Sequence, residues 1–348
     1  MALIRVALEG IRCFREPVIV NLSQRDLLIQ GPNGSGKTTF LEAIYTTMRG
    51  RSFRTGHLNR MISDGRKSFE SRIDFSSKNE KHASIRFLFD GSRRKTELEM
   101  NTATTTHSDI SRRFPFVYLN RDIVDIVSGE PARKRGVLDW VAFHVERDHV
   151  SNLRNFRKAY IQWKECVRLS MPGEESWWRQ AANAAEAIEI SRSQAFSSLI
   201  PTLDQNVIKL FPGRSIVFAY SAGFDAKVDY KKIRETILKG TRLFSSPQLS
   251  SFMIRVDGTS DTRGHLSRGQ QKRLAVGIMW AAMDAVSNMT GKDVHVLFDD
   301  FPSDLDPASR KEVFDFITGG RHQLILTSQE NGLVGREDLG ECSTWNVP

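Results

Sequence analysis

Eight residues, Gly31-Pro-Asn-Gly-Ser-Gly-Lys-Thr38, carry the spacing G-x-x-x-x-G-K-[ST]. Glycines there let the backbone turn its N–H groups inward around phosphates. Lys37 is placed to reach β/γ-phosphates, and Thr38 to set its hydroxyl on Mg²⁺. Asn33, Gly34, Ser35, Gly36 and Thr39 complete the expected nucleotide-binding set. The flanks agree: Leu27-Leu-Ile-Gln30 reads as a strand before the loop, and Thr39-Phe-Leu-Glu-Ala-Ile44 as a helix after it. The positive end of that helix favours an anion. The expected ligand is ATP with Mg²⁺.

Such a loop needs an acidic partner. Val294-His-Val-Leu-Phe-Asp-Asp300 is an apolar run ending in two carboxylates. It reads as a buried parallel strand delivering acids to the carboxyl edge of a sheet, where α/β proteins bind ligands. Asp299 is the natural acid on the Mg²⁺ side, and Asp300 the natural general base for an attacking water.

A third segment narrows the class. Leu266-Ser-Arg-Gly-Gln-Gln271 precedes an apolar helix, Leu274 to Val286. It resembles the ABC-type signature L-S-G-G-Q, with Arg268 in place of the first glycine. Asp299-Asp-Phe-Pro-Ser-Asp-Leu-Asp306 resembles the D-loop of the same class, with Ser303 and Asp306 as its marked positions. Asp306-Pro307 is also a good helix start, with Asp as N-cap and Pro at the first helical position. In ABC-type ATPases the signature of one subunit caps the γ-phosphate held by the other. The resemblance therefore implies that Ser267, Arg268, Gly269 and Gln270 act across an ATP-dependent two-fold dimer.

The rest of the chain must position these groups. Residues 3–9 and 17–22 read as strands. From Arg72 to Met100 apolar and polar residues alternate in three runs, with an Asp90-Gly91 turn between the last two, which predicts an antiparallel sheet beside the nucleotide core. Thr102 to Thr106 reads as a loop. From Pro131 the period becomes helical, over Pro131–Arg147, Ser151–Leu169 and Trp177–Ile200. Ser215–Tyr220 and Phe252–Val256 return to strand character, and Gln323–Thr327 is a last core strand. Trp177 and Trp178 read as packing residues. The predicted fold is an α/β P-loop ABC-type ATPase head with an adjoining antiparallel sheet and an inserted, mainly helical arm. The head is expected over 1–120 and 245–348, and the arm over 121–244.

Composition bounds the rest. A 348-residue chain with 40% hydrophobic residues suits two domains, or one with a large insertion. Cys13, Cys166 and Cys342 are far apart and odd in number, which predicts a reducing compartment without disulfides. No apolar run approaches a membrane span, and Met1-Ala-Leu-Ile-Arg-Val lacks the order of a signal peptide, so the expected location is the cytoplasm. Fifty basic against 41 acidic residues give a net charge of +9, which permits nucleic-acid binding. Arg133-Lys-Arg135 is the basic run singled out for DNA, although an ordinary solvated face accounts for any single run.

This order of motifs resembles the SMC/RecF-like family of ABC-type ATPases, and within it the RecF branch, since there is no room here for a long SMC coiled coil. Gly50-Arg-Ser-Phe-Arg54, Gly129-Glu-Pro131, Leu138-Asp-Trp-Val-Ala-Phe-His144, Leu266-Ser-Arg-Gly-Gln270 and Asp299–Asp306 carry the resemblance. It implies a slow, DNA-stimulated ATPase that dimerises on ATP at double-stranded DNA near single-stranded gaps. It also implies a RecR-type mediator as partner, loading of the RecA recombinase, and Arg12 near the nucleotide phosphates. Four segments depart from the family pattern: Ile11-Arg-Cys13, Asn120-Arg-Asp-Ile123, Ser246-Pro-Gln248 and Asp304, and the Q-loop residue stays open. Two alternatives remain: the ATPase subunit of an ABC transporter, which would need a histidine where Thr327-Ser328 stand, and a RecF-like ATPase of phage or plasmid defence or replication.

Overall fold

The computed structural model describes residues 1–22, 26–76, 82–241, 245–260, 262–301, 305–318, 320–328 and 342–347. They form two compact units, one of Met1–Asp122 with Lys292–Pro348 and one of Ile123–Gly291. The first unit opens with β1 (Ala2–Glu9), β2 (Val18–Asn21), β3 (Asp26–Gln30), α1 (Lys37–Arg49), β4 (Ser68–Ser76), β5 (Ala83–Asp90), β6 (Lys95–Met100), β7 (Ala103–Thr104), α2 (His107–Arg113) and β8 (Phe116–Leu119). The second supplies α3 (Asp125–Ser128), α4 (Pro131–Val145), α5 (His149–Leu169), α6 (Glu174–Leu210), β9 (Ile216–Ser221), α7 (Tyr230–Leu238), β10 (Ser251–Val256), α8 (Thr262–His265) and α9 (Arg268–Thr290). The chain returns to the first with β11 (His295–Phe298), α10 (Pro307–Thr318), β12 (Gln323–Ser328) and β13 (Cys342–Asn346).

Five parallel strands make one sheet of the first unit, in the order β13-β3-β12-β11-β8. Every residue of β11 and β12 is buried, as strands covered on both faces must be. A second, antiparallel sheet runs β2-β1-β4-β5-β6-β7. Helix α1 packs on β4, β5 and β12 and joins the two sheets through one apolar core containing Phe40, Ile44, Phe75, Phe87 and Ile325. Gln323 ties the sheets polar group to polar group: its side chain accepts from Leu3 N at 2.7 Å and donates to Leu3 O at 2.8 Å.

The segment expected as a loop at 102–106 contains a short strand instead. Asn101 and Thr102 sit at φ +51° and +70°, so the chain turns sharply and Ala103–Thr104 pairs back onto β6. Asn tolerates that region, and the Asn101 side chain accepts from Ser84 N at 2.8 Å.

In the second unit α5 and α6 pack along their length, and α6 packs in turn on α4 and α9. Trp163 is fully buried, with Trp178 at 4.8 Å between ring centroids, and both Trp177 and Trp178 pack, partly buried, against Trp163, Val167 and Ile233. Helix α6 continues through Pro201 to Leu210, ten residues beyond the expected end. Proline costs it one backbone donor, but Leu203, Val207 and Leu210 prolong the buried stripe begun by Leu199. Because α9 packs against α6 and α4, residues 245–291 group with the helical unit, and the expected boundary at 244/245 falls inside it. Strands β9 and β10 form an antiparallel pair of their own.

Polar groups inside this unit satisfy one another. The Arg192 guanidinium, 4% exposed, donates to both carboxylate oxygens of Asp139, at 2.7 and 2.9 Å. His149 Nε2 lies 3.0 Å from the same carboxylate. Arg192 also donates to Ser250 Oγ at 2.9 Å, Ser250 Oγ donates to Glu189, and Tyr220 donates to Glu189 at 2.7 Å. Burial works against the Asp139 anion, but the bonds from His149 and Arg192 hold its carboxyl below the usual range.

Candidate functional site

The parallel sheet converges its loops at one edge. Strand β3 runs into the phosphate loop, β11 leads into Asp299, and β12 lies between them, ending at Thr327-Ser328. Around this edge is a cavity of about 700 Å³. Asn33, Gly34, Gly36, Lys37, Thr38 and Thr39 line it from the loop side, and Asp299, Asp300 and Thr327 from the sheet.

The loop has the backbone that its glycines allow. Gly34 and Gly36 sit at φ +87° and +114°. A Cβ on Gly36 would stand 2.8 Å from Cys13 Sγ and 3.0 Å from the Phe14 ring, so both conformation and space require glycine there. Ser35 N donates to Pro32 O at 3.3 Å and closes the turn. Lys37 Nζ donates to Gly31 O at 2.6 Å and Pro32 O at 2.8 Å, which holds the ammonium over the loop. Helix α1 begins at Lys37, so its unpaired N–H groups open on the cavity.

Asp299 is the hub. It is 9% exposed. Its Oδ1 accepts from Thr38 Oγ1 at 3.1 Å and from Thr327 Oγ1 at 2.7 Å, and its Oδ2 accepts from Tyr118 at 3.2 Å. Burial and the nearby Asp299 charge raise the Tyr118 phenol, so it stays protonated and donates. Thr327 Oγ1 also accepts from Asp300 N at 2.8 Å, so one hydroxyl holds both acids. Asp300 sits at φ +54°, a costly backbone for a residue with a Cβ, kept in place by that bond. A hydroxyl and a carboxylate 3.1 Å apart at the mouth of a phosphate loop are hard oxygen donors of the kind that Mg²⁺ takes together with phosphate.

Arg12 is engaged elsewhere in the unit. It donates to Glu42 through Nε at 2.6 Å and Nη2 at 2.9 Å, and Glu42, on α1, is fully buried. Ser52 and Arg54 reach the same carboxylate, Arg54 at 3.4 Å. Arg54 also lines the cavity, with Phe53, Tyr118, Asn120, Arg121 and Asp122. None of these six was singled out as a site residue from sequence. The usable signal was position: Tyr118 and Asn120 stand at the carboxyl end of β8, next to the strand that carries Asp299.

Ser267, Arg268, Gly269 and Gln270 belong to the second unit and open α9. Ser267 Oγ accepts from Gln270 N at 3.2 Å, and Gln270 Oε1 accepts from Ser267 N at 2.9 Å, a complete capping box. Asp306 caps α10 by accepting from Ser309 N at 3.0 Å. Ser303 lies outside the described residues. The Arg133–Lys134–Arg135 run on α4 is drawn largely into its own unit. Arg133 is exposed but pairs with Asp125 at 3.5 Å. Lys134 is half-buried with its ammonium 5.8 Å from the Phe252 ring, and Arg135 donates to Ser250 O at 3.3 Å. Burial lowers the pKa of both Lys134 and Arg135.

Comparison with known proteins gives a consistent likeness. The family model described as RecF/RecN/SMC N terminal domain matches residues 2–339. A protein named DNA replication and repair protein RecF from Pseudomonas fluorescens (strain SBW25) is 26% identical over 342 residues, covering 96% of this chain and 92% of its own length. One of the same name from Salmonella newport (strain SL254) is 27% identical, with 94% and 93% covered. Among solved structures, the recombination mediator RecF with ATP superposes with a TM-score of 0.78 at 20% identity, over 96% of this chain and 93% of its own. An Smc head bound to the C-winged helix domain of ScpA gives 0.59 at 17% identity, over 95% and 90%. These structures establish the α/β ABC-type head as the fold.

Proposed function

Because the chain belongs to the RecF/RecN/SMC N-terminal-domain family, we propose that it is an ATPase that binds ATP at the sheet edge of its first unit and dimerises with it on DNA in recombinational gap repair. The observation that carries the reading is the meeting of a phosphate loop, the Thr38–Asp299 pair and Asp300 in one cavity. DNA enters through the curated relatives, whose names assign them to DNA replication and repair, and through the net charge of +9.

In this reading the loop amides and Lys37 hold the β/γ-phosphates, and Asn33 to Thr39 frame them. Thr38 and Asp299 would hold Mg²⁺, whose charge offsets that of the phosphates. Asp300 takes the proton of the attacking water. Thr327 orients Asp299 through its side chain and Asp300 through its backbone. The exposed start of α9, with Ser267 to Gln270, meets the γ-phosphate held by a second copy, together with the D-loop residues Ser303 and Asp306. Arg12 steadies α1 behind the loop through Glu42. Turnover is slow and stimulated by DNA, the work is done in the cytoplasm, and a RecR-type mediator connects the dimer to RecA loading.

The transporter reading is disfavoured by Thr327-Ser328 at the end of β12, where it would need a histidine. No helix among the described residues is long and apolar enough to cross a membrane. Light scattering tests the proposal. ATP and Mg²⁺ should double the mass in solution, gapped DNA should prolong the dimer, and Ser267→Arg should bind ATP yet stay monomeric. A parent protein that stays monomeric with ATP and gapped DNA would sink the mechanism.

A further inference from the structure

We infer that the solvent face of α5 is a docking surface for the phosphate backbone of a nucleic acid. The inference rests on the DNA-binding reading above and assigns it a place. Helix α5 turns Phe156, Ala159, Trp163, Cys166 and Val167 inward. At 3.6 residues per turn, the opposite side receives Arg154, Arg157, Lys158, Ile161 and Arg168, and all five are exposed.

Three of these cations, Arg154, Arg157 and Lys158, make no ion pair or hydrogen bond through their side chains with any described residue. They are spaced i, i+3 and i+4, so they stand together on the surface. The acid that shares the face is Glu165, 3.8 Å from Arg168. The neighbouring helix α6 shows the ordinary alternative. Its exposed residues include Glu175, Arg179, Asn183 and Glu186, a mixture with no excess of positive charge. Solvated faces intersperse both signs, whereas a face with four cations against one acid on a rigid helix matches a polyanion.

The chemistry favours phosphate. Arginine forks bind phosphate oxygens in pairs. Arg154 to Arg168 spans about 21 Å along the helix axis, comparable to about six base pairs of duplex at roughly 3.4 Å each. Ile161 is the single apolar residue between them, too little for a membrane-binding face. The basic run most visible in the sequence, Arg133 to Arg135, is by contrast occupied by Asp125, Phe252 and Ser250.

The test is fluorescence anisotropy of the full chain with ATP, Mg²⁺ and a labelled duplex containing a single-stranded gap, read across a salt series. Arg154→Gln, Arg157→Gln and Lys158→Gln together keep helix propensity while removing charge. Their combination should weaken binding at least tenfold and lower the slope of log affinity against log salt by about 2.7, or ~0.9 per lost phosphate contact. Glu165→Gln should move the other way, tightening binding roughly twofold. Arg179→Gln on α6 should change nothing, and ATP affinity should be unaltered in all three proteins. Arg154→Lys with Arg157→Lys keeps the charge and should keep the slope, which separates lost contacts from a damaged fold. If the triple variant binds the duplex with the parent's affinity and slope, the inference falls while the functional reading stands. If it loses only poly-glutamate binding, the face belongs to an acidic protein and the inference falls as well. A parent protein that binds no duplex would overturn both.

Discussion

The two units use charge in opposite ways. In the second, Arg192, Glu189 and Ser250 are buried, and with the half-buried Asp139 and Tyr220 they spend hydrogen bonds on one another. In the first, Lys37, Thr38, Asp299, Asp300 and Thr327 stand at a sheet edge and line a cavity. Both networks are tightly held. The difference is where they face: one fixes helices against each other, and the other presents donors and acceptors to a ligand. A dense polar cluster is therefore no sign of chemistry until the structure shows whether it opens onto space.

Substitution of Asp300 should have the largest effect. Asp300→Asn should lower ATP hydrolysis by ~10²–10⁴-fold, because the amide keeps the shape but takes no proton. ATP binding and the dimer should persist, with slower release of DNA. Hydrolysis at the parent rate, measured by phosphate release, would remove Asp300 from its role.

Asp139→Asn is the counterpart in the second unit. It leaves the Arg192 cation buried without its anion, at a cost of about 3–5 kcal/mol. Thermal melting should show the loss, while ATP affinity should stay as in the parent. Because the folded carboxyl is held below its ordinary value of 3.8, its contribution is complete above that pH. It is lost as the pH falls through the depressed folded value, so parent and variant should converge in strong acid.

Lys37→Ala reads out on the ligand alone. Charged hydrogen bonds to phosphate are worth about 1.5–3 kcal/mol each, so ATP affinity by calorimetry should fall roughly a hundredfold. Melting without nucleotide should change little, since the ammonium bonds two carbonyls of the exposed loop rather than a group in the core.

The smallest effect is expected at Thr327. Thr327→Val keeps the packing volume but removes the hydroxyl that bridges Asp299 and Asp300 N. Hydrolysis should slow about tenfold, the equivalent of roughly 1.4 kcal/mol. Thr327→Ser should restore most of the rate. Equal losses in both variants would mean that β12 packing matters there, and not the bridging hydroxyl.

Much of the fold is legible in local pattern. The alternation from Arg72 to Met100 became three antiparallel strands, and the helical periods after Pro131 became α4, α5 and α6. Strand β8 went unread because Phe116-Val-Tyr-Leu119 is only four residues long and apolar on both faces, too short to show a period. Strand β13 gains its identity by pairing with β3, more than 300 residues away in sequence. Helix α6 outran its expected end because packing of Leu203 and Leu210 outweighed a local breaker, Pro201.

The site divides along the same line. Local pattern was enough for the phosphate loop, the two acids after β11 and the cap at Asp306. The loop and the cap are set locally, by glycine at positive φ or by a side chain reaching three residues ahead, and the acids are announced by the apolar run before them. Long-range strand pairing sets β12 between β3 and β11, and so brings Thr327 onto Asp299 and Asp300. Tertiary packing placed Tyr118 and Arg54 at the cavity and turned Arg12 toward Glu42. It also decided which cations are spent inside the fold and which face water, because burial depends on what the rest of the chain packs against a helix, and no run of adjacent residues encodes that.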